Sequence, residues 1–170
     1  MIRLVAFSDS HGAADALERC VRHALIGVKP YAAVFLGDGE ADFESLHPML
    51  YQCGVHAYQV AGNNDWGSPY QKDFLIQLEN ISVYACHGHQ WHVRFSKDRL
   101  IYAAMERGAK AVFYGHTHVP EISTESGIVL LNPGTVRELK GNQVRYAELL
   151  IDDEGEMHPR IIDTEFCTQV

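Results

Sequence analysis

At 170 residues with 46% hydrophobic content, the chain has the length of one domain and enough apolar material to bury roughly 70% of its extended surface. Its formal net charge of −8 argues against sequence-independent binding to nucleic acid, which needs a basic surface to displace counterions. No run is long and apolar enough to cross a bilayer, and the N-terminus reaches Asp9 too soon to hold a secretory leader, so a cytoplasmic protein is expected.

The first apolar run, Ile2 to Phe7, reads as a strand that stops at Ser8-Asp9-Ser10-His11-Gly12. Ala14, Leu17, Val21, Ala24, Leu25 and Val28 then recur at helical spacing, with Lys29-Pro30 expected to end the helix. Tyr31 to Leu36 form a second apolar run closed by Gly37-Asp38-Gly39-Glu40. A shorter helical pattern, Phe43, Leu46 and Leu50, is expected to be limited by Pro48. Val55 to Ala61 lead into Gly62-Asn63-Asn64-Asp65, and residues 66–72 read as a loop.

Phe74 to Leu78 and Ile81 to Cys86 are β-rich and separated by Glu79-Asn80, which predicts an antiparallel pair, and the second run ends in His87-Gly88-His89. Ser96 is a candidate N-cap for a helix carrying Leu100, Ala103 and Ala104, closed by Gly108. Ala109 to Tyr114 lead into Gly115-His116-Thr117-His118, and Ile128 to Leu131 into Asn132-Pro133-Gly134-Thr135. Val144 to Ile151 and Met157 to Ile162 flank Asp152-Asp153-Glu154-Gly155 and predict a hairpin at a sheet margin. Strand and helix alternation followed by strand pairs gives an α/β fold of mixed sheets covered by helices, with ligands expected beyond the carboxyl ends of the strands. The expectation is a single domain over 1–170, without a cap insertion.

Asp9, His11, Asp38, Asn63, His87, His116 and His118, all at strand ends, offer two carboxylates, one amide oxygen and four imidazoles. Such hard and borderline donors suit Mn, Fe, Zn, Co or Ni. Seven exceed the four or so of a closed zinc site, and one shared carboxylate would divide them into two sites of four. The bland alternative, solvated polar residues at strand ends, explains single residues but not the set. It is the better reading for His23, His47, His56, His92 and His158, which lie outside these clusters. Cys20, Cys53, Cys86 and Cys167 form neither a CxxC pair nor a disulfide framework and are expected to be reduced and mostly buried.

The ordered motifs Asp9-x-His11, Gly37-Asp38, Gly62-Asn63-x-Asp65, His87-Gly88 and Gly115-His116-x-His118 resemble those of the calcineurin-like metallophosphoesterase superfamily over residues 1 to about 140. The short length and the Asn132-Pro133-Gly134 segment make the chain most similar to the small YfcE-type phosphodiesterases. The resemblance implies a four-layer α/β/β/α sandwich and two divalent ions per chain, with manganese the leading candidate. Asp9, His11 and His118 would hold the first ion, Asn63, His87 and His116 the second, and Asp38 would bridge. The charge count agrees: two divalent ions, two aspartates and a bridging hydroxide leave about +1, suited to a phosphodiester monoanion. The implied reaction is hydrolysis of small phosphodiesters by direct attack of the bridging hydroxide on phosphorus, with inversion and Asp38, Asn63 and His87 at the catalytic centre.

Two departures qualify the resemblance. Asn64 stands where many members of the superfamily carry a proton-donating His, so water or His89 is expected to protonate the leaving group, favouring good leaving groups. Ala41 stands where many phosphatases have an acid, with Asp42 one residue further on. Asn64, His89 and Arg137 are candidate substrate contacts, Asn132 and Thr135 candidate pocket borders, and Asp65 a turn acid orienting a neighbour. A homodimer is implied by the resemblance alone. The competing readings are a phosphomonoesterase and a non-catalytic scaffold like the retromer subunit that shares this fold.

Overall fold

A computed structural model describes residues 1–137 and 144–164, so the expectation for Cys167 lies outside the described residues. Two five-stranded mixed sheets pack face to face. The first has the order β10-β9-β1-β2-β3, built from β1 (Ile2–Phe7), β2 (Ala32–Phe35), β3 (His56–Gln59), β9 (Val144–Ile151) and β10 (Met157–Thr164). The second has the order β4-β5-β6-β8-β7, from β4 (Asp73–Gln77), β5 (Ser82–Cys86), β6 (Ala111–Phe113), β7 (Pro120–Glu125) and β8 (Ile128–Pro133).

Alternation along β1 explains the layers. Leu4 and Ala6 point between the sheets, where they meet Val34, Val83, Phe113, Leu131 and Leu149. Val5 and Phe7 point outward under α1 (Ala14–Ala24), α2 (Glu40–Glu44) and α3 (His47–Gln52). On the far side α4 (Asp98–Glu106) lays Leu100 and Ala104 on Tyr84, Val112 and Leu130. The order of layers is therefore α/β/β/α, as expected. Strands β1, β2 and β3 are mutually parallel, as are β5, β6 and β8, so each triplet delivers its carboxyl ends to one edge.

Several local expectations need correction. Helix α1 stops at Ala24, short of Lys29-Pro30, because Gly27 takes φ = 82° and Arg3 Nη1 draws in the Ala24 and Val28 carbonyls, leaving Val28 exposed. Pro48 limits nothing: it lies in the first turn of α3, where its missing N–H costs no hydrogen bond, and the Phe43-Leu46-Leu50 pattern divides into two short helices. Lys97, with Ser96 before it, occupies the N-cap of α4, although Ser96 Oγ still accepts from Asp98 N at 3.1 Å. Strand β7 had no counterpart in the sequence reading; its residues, Pro-Glu-Ile-Ser-Thr-Glu, lack an apolar run because it is an exposed edge strand paired on one side to β8. Cys20 and Cys86 are buried free thiols, whereas Cys53 is exposed after the end of α3.

Beneath α1, Arg3 is buried against Glu148 of β9, which also pairs with Arg160 of β10. Burial raises the Glu148 carboxyl, but the two guanidinium groups outweigh it and hold the group below its ordinary value. Arg3→Met is expected to destabilise the fold by about 3 kcal/mol, seen as a lower urea midpoint with unchanged slope. Because the folded carboxyl is depressed, this stabilisation is present above the unfolded value near pH 4.3 and is lost as pH falls through the folded one, so the variant and parent midpoints should converge in acid.

Candidate metal centre

The loops after β1, β2, β3, β5 and β6 carry all seven candidate ligands, and the fold brings them together. Asp9 Oδ1 lies 3.1 Å from His118 Nε2, 3.6 Å from His11 Nε2 and 4.0 Å from His87 Nε2. Asp38 Oδ2 lies 3.5 Å from His87 Nε2 and 3.7 Å from His11 Nε2, so one oxygen faces both halves of the cluster. His87 Nε2 is 3.0 Å from Asn63 Oδ1 and 3.2 Å from His116 Nδ1, and His11 Nε2 is 3.2 Å from His118 Nε2. Among the described residues, donor atoms of Asp9, His11 and His118 fall within 4.8 Å of one another, as do those of Asp9, Asp38 and His87.

The backbone is bent to achieve this. Asp9, His11, Asp38, His116 and His118 all have φ between 45° and 68°, in the left-handed region that L residues seldom adopt. Each such residue costs roughly 1 kcal/mol or more and persists only where surrounding contacts over-determine it. Those contacts are visible. Asp65 accepts from the N–H groups of Asp38, Gly39, Glu40 and Gly62 at 2.7 to 3.2 Å, the orienting turn acid expected of it. Asp42, the displaced acid, accepts from Ser10 Oγ at 2.6 Å and Gly12 N at 2.9 Å and so holds the β1 loop rather than facing the cluster. Thr135 Oγ1 donates to the Asp9 carbonyl, and the buried Asn132 amide donates to Gly115 O and Thr117 Oγ1. These two residues brace the loops beneath the pocket.

Electrostatics prepare the same groups for cations. His87 Nδ1 faces the Leu36 carbonyl at 2.6 Å; a carbonyl only accepts, so Nδ1 carries the proton and Nε2 turns to the cluster. Burial lowers the His87 imidazole, but Asp38 and Asp9 outweigh burial and raise it above its ordinary value. Burial alone would raise the Asp38 carboxyl; His87 and the Asn64 hydrogen bonds instead hold it far below the carboxylate range. His116 is pushed down to about 4, first by burial and then by the charges of His87 and Arg94, so its ring is a neutral donor at neutral pH.

The donor set fits divalent metal ions. Bonds of 2.0 to 2.2 Å put tetrahedral or octahedral neighbours on one ion about 3.0 to 3.5 Å apart, and most of the spacings above lie in or near that range. Asp9 Oδ2 is satisfied by Ser8 Oγ at 2.5 Å and His116 N at 3.0 Å, whereas its buried Oδ1 has no hydrogen bond among the described residues. A buried carboxylate oxygen left in this way is the feature a cation completes.

The other candidates divide. Asn64 donates its N–H to Asp38 Oδ1 at 2.8 Å and its Nδ2 to Asp38 Oδ2 at 2.7 Å, so the amide points at the carboxylate rather than outward to substrate. The His89 ring stands 5.4 Å from that of His87 and 6.2 Å from that of His116, with a buried Nδ1 that has no hydrogen-bond partner among the described residues. Arg137 lines a cavity with Gly12, Ala13 and Arg19. His23, His47, His56, His92 and His158 have no part in either group of clustered donors. Sequence reading missed Arg94, whose Nη2 donates to the His116 carbonyl at 3.1 Å. Its only sequence signal is a basic residue soon after His87-Gly88-His89.

These sequence motifs on this two-sheet frame define a phosphoesterase scaffold, and the chain belongs to the calcineurin-like phosphoesterase superfamily, whose domain model matches residues 2–154. The probable metallophosphoesterase YsnB of Bacillus subtilis is 25% identical over 155 residues, covering 91% of this chain and 87% of the relative. A crystal structure of a predicted phosphoesterase from Streptococcus pneumoniae superposes with a TM-score of 0.73 at 27% identity, covering 96% of this chain and 98% of that one. An archaeal phosphodiesterase (TM-score 0.68, 16% identity, 95% and 100% coverage) and zinc-complexed Vps29 from Entamoeba histolytica (TM-score 0.68, 18% identity, 95% and 99% coverage) share the fold.

Close approach of the loops leaves no room for added atoms. A Cβ on Gly62 would lie 2.1 Å from Asp38 Oδ1 and 2.4 Å from Asp38 N. Gly62→Ala is expected to displace the Asp38 loop and lower divalent-metal affinity at least about tenfold, measured by titration calorimetry, while far-ultraviolet dichroism stays close to that of the parent.

Proposed function

We propose that the chain is a metal-dependent phosphodiesterase acting on small phosphodiesters. The observation that carries this reading is the buried, unsatisfied Asp9 Oδ1 at the centre of converging imidazoles, a donor arrangement that asks for cations in an otherwise acidic protein. Asp9, His11 and His118 are assigned to one divalent ion, Asn63, His87 and His116 to the other, and Asp38 to both. The approach of His11 and His87 to the same Asp38 oxygen supports the bridging role. Two ions, when bound, lower the pKa of a shared water and clamp the attacking and leaving oxygens of an in-line displacement.

The chain's own residues set the rest. Asn63 contributes an uncharged oxygen, which keeps the centre cationic enough for a monoanionic diester. Asn64 braces Asp38 and, being an amide, supplies no proton to the leaving group. His89 is the nearest candidate donor. Burial, then the charges of His87 and Lys72, lower its imidazole below the ordinary value, so it holds its proton less readily than a free imidazole. Rate should therefore depend on the leaving group: kcat/KM across aryl phosphodiesters is expected to fall steeply with leaving-group pKa, and His89→Ala should steepen that dependence. A flat series in the parent would remove the leaving-group argument, and an unchanged slope in His89→Ala would remove His89 as the donor.

The fold is shared with an archaeal phosphodiesterase and with Vps29, so a diesterase and a binding scaffold are both represented among its neighbours. The presence of a complete donor set supports the enzyme. With manganese added, an aryl phosphodiester is expected to be cleaved faster than the matching monoester. Asp38→Ala should lose at least about a thousandfold in rate and bind fewer than two ions per chain by elemental analysis. Preference for the monoester would favour a phosphomonoesterase; wild-type protein with less than one ion per chain and no hydrolysis would favour the scaffold.

A further inference from the structure

A phosphoryl group at the metal centre needs donors for the oxygens that the ions do not hold, and none of the seven ligands is a fixed cation. The segment after β5 supplies one. From Gly88 the chain makes a short 3₁₀ turn (His89–Trp91), reverses at His92 with φ = 55°, and buries Val93 against Gly88, where an added Cβ would lie 2.9 Å from Val93 Cγ2. Arg94 follows directly, its backbone fixed by the burial of its neighbour. Its side chain is exposed, and Nη2 reaches back to the carbonyl of His116 at 3.1 Å.

That bond uses one of five guanidinium donors, and Arg94 has no carboxylate partner among the described residues. Most of the other described arginines are engaged: Arg3 and Arg160 with Glu148, Arg22 with Glu18, Arg107 with Asp73 and Arg145 with Asp163. In a chain of net charge −8, an unneutralised arginine hung from the backbone of a cluster histidine is a specific arrangement.

We propose that Arg94 is a substrate-binding residue whose free guanidinium N–H groups take the non-bridging oxygens of the substrate's phosphoryl group at the edge of the metal cluster. The planar fork suits two phosphate oxygens, which an ammonium would hold only as a point charge. This assignment rests on the phosphoesterase reading and gives the phosphate role to Arg94, which is bonded to the His116 carbonyl, rather than to Arg137, which lines a cavity with residues of α1.

The test uses the full chain loaded with manganese and inorganic phosphate as the probe, so it does not depend on turnover. Titration calorimetry should show phosphate binding to wild type and about 10- to 100-fold weaker binding to Arg94→Ala, with Arg94→Lys between them and manganese stoichiometry and affinity unchanged in both variants. On an aryl phosphodiester the same variants should raise KM by a comparable factor. Phosphate affinity unchanged in Arg94→Ala, loss of manganese with loss of the side chain, or failure of wild type to bind phosphate would each overturn the assignment. A wild type that binds phosphate through Arg94 yet hydrolyses no phosphoester would sink the enzymatic reading while leaving the anion site standing.

Discussion

Two carboxylates buried at the ends of parallel strands are the constraint around which this molecule is arranged. Asp9 and Asp38 are almost wholly inaccessible, and burying an ionised carboxylate is tolerable only where opposite charge or several donors face it. Asp38 has the Asn64 backbone and side-chain donors; Asp9 has Ser8 and the His116 backbone on one oxygen alone. Four imidazoles crowd the remaining face. Charge, hydrogen bonding and ring orientation all converge on the same small volume, which solvated side chains at strand ends would not do.

Holding those groups in place has shaped the chain well beyond the ligands. The left-handed conformations at Asp9, His11, Asp38, His116 and His118 are kept by hydrogen bonds accepted by Asp65 and Asp42 and donated by Asn132 and Thr135, none of which belongs to the proposed ligand set. Gly62 and Gly115 let neighbouring loops touch, since a Cβ on Gly115 would lie 2.0 Å from Ser8 Oγ. These contacts hold the loops in the conformations that gather the candidate ligands.

What was legible in the sequence followed from period and punctuation. Apolar runs such as Ile2 to Phe7 and Ile81 to Cys86 ended abruptly in polar clusters, and these marked both the strands and the site. Strand β7 was illegible because an exposed edge strand needs no apolar face, and Pro48 was misread because proline both ends helices and begins them. Asn64 was recognised as a substitution, but its turn toward Asp38 is a property of loop geometry that spacing cannot show. Arg94 was overlooked for a related reason: its bond to the His116 carbonyl joins residues 22 apart through the loops after β5 and β6, and a single arginine in a polar stretch carries no pattern.

The cluster also lies across the seam between the sheets. Asp9, His11, Asp38 and Asn63 leave strands of one sheet, while His87, His116 and His118 leave strands of the other. Under the proposed assignment each ion takes ligands from both halves and so acts as a rivet through the sandwich at the edge where the hydrophobic interior gives way to loops. Folding free energy then includes a term in free metal concentration, growing as RT ln(1 + [M]/Kd). Availability of the ion becomes a determinant of how tightly the two layers are held in register, as well as of what the centre does between them.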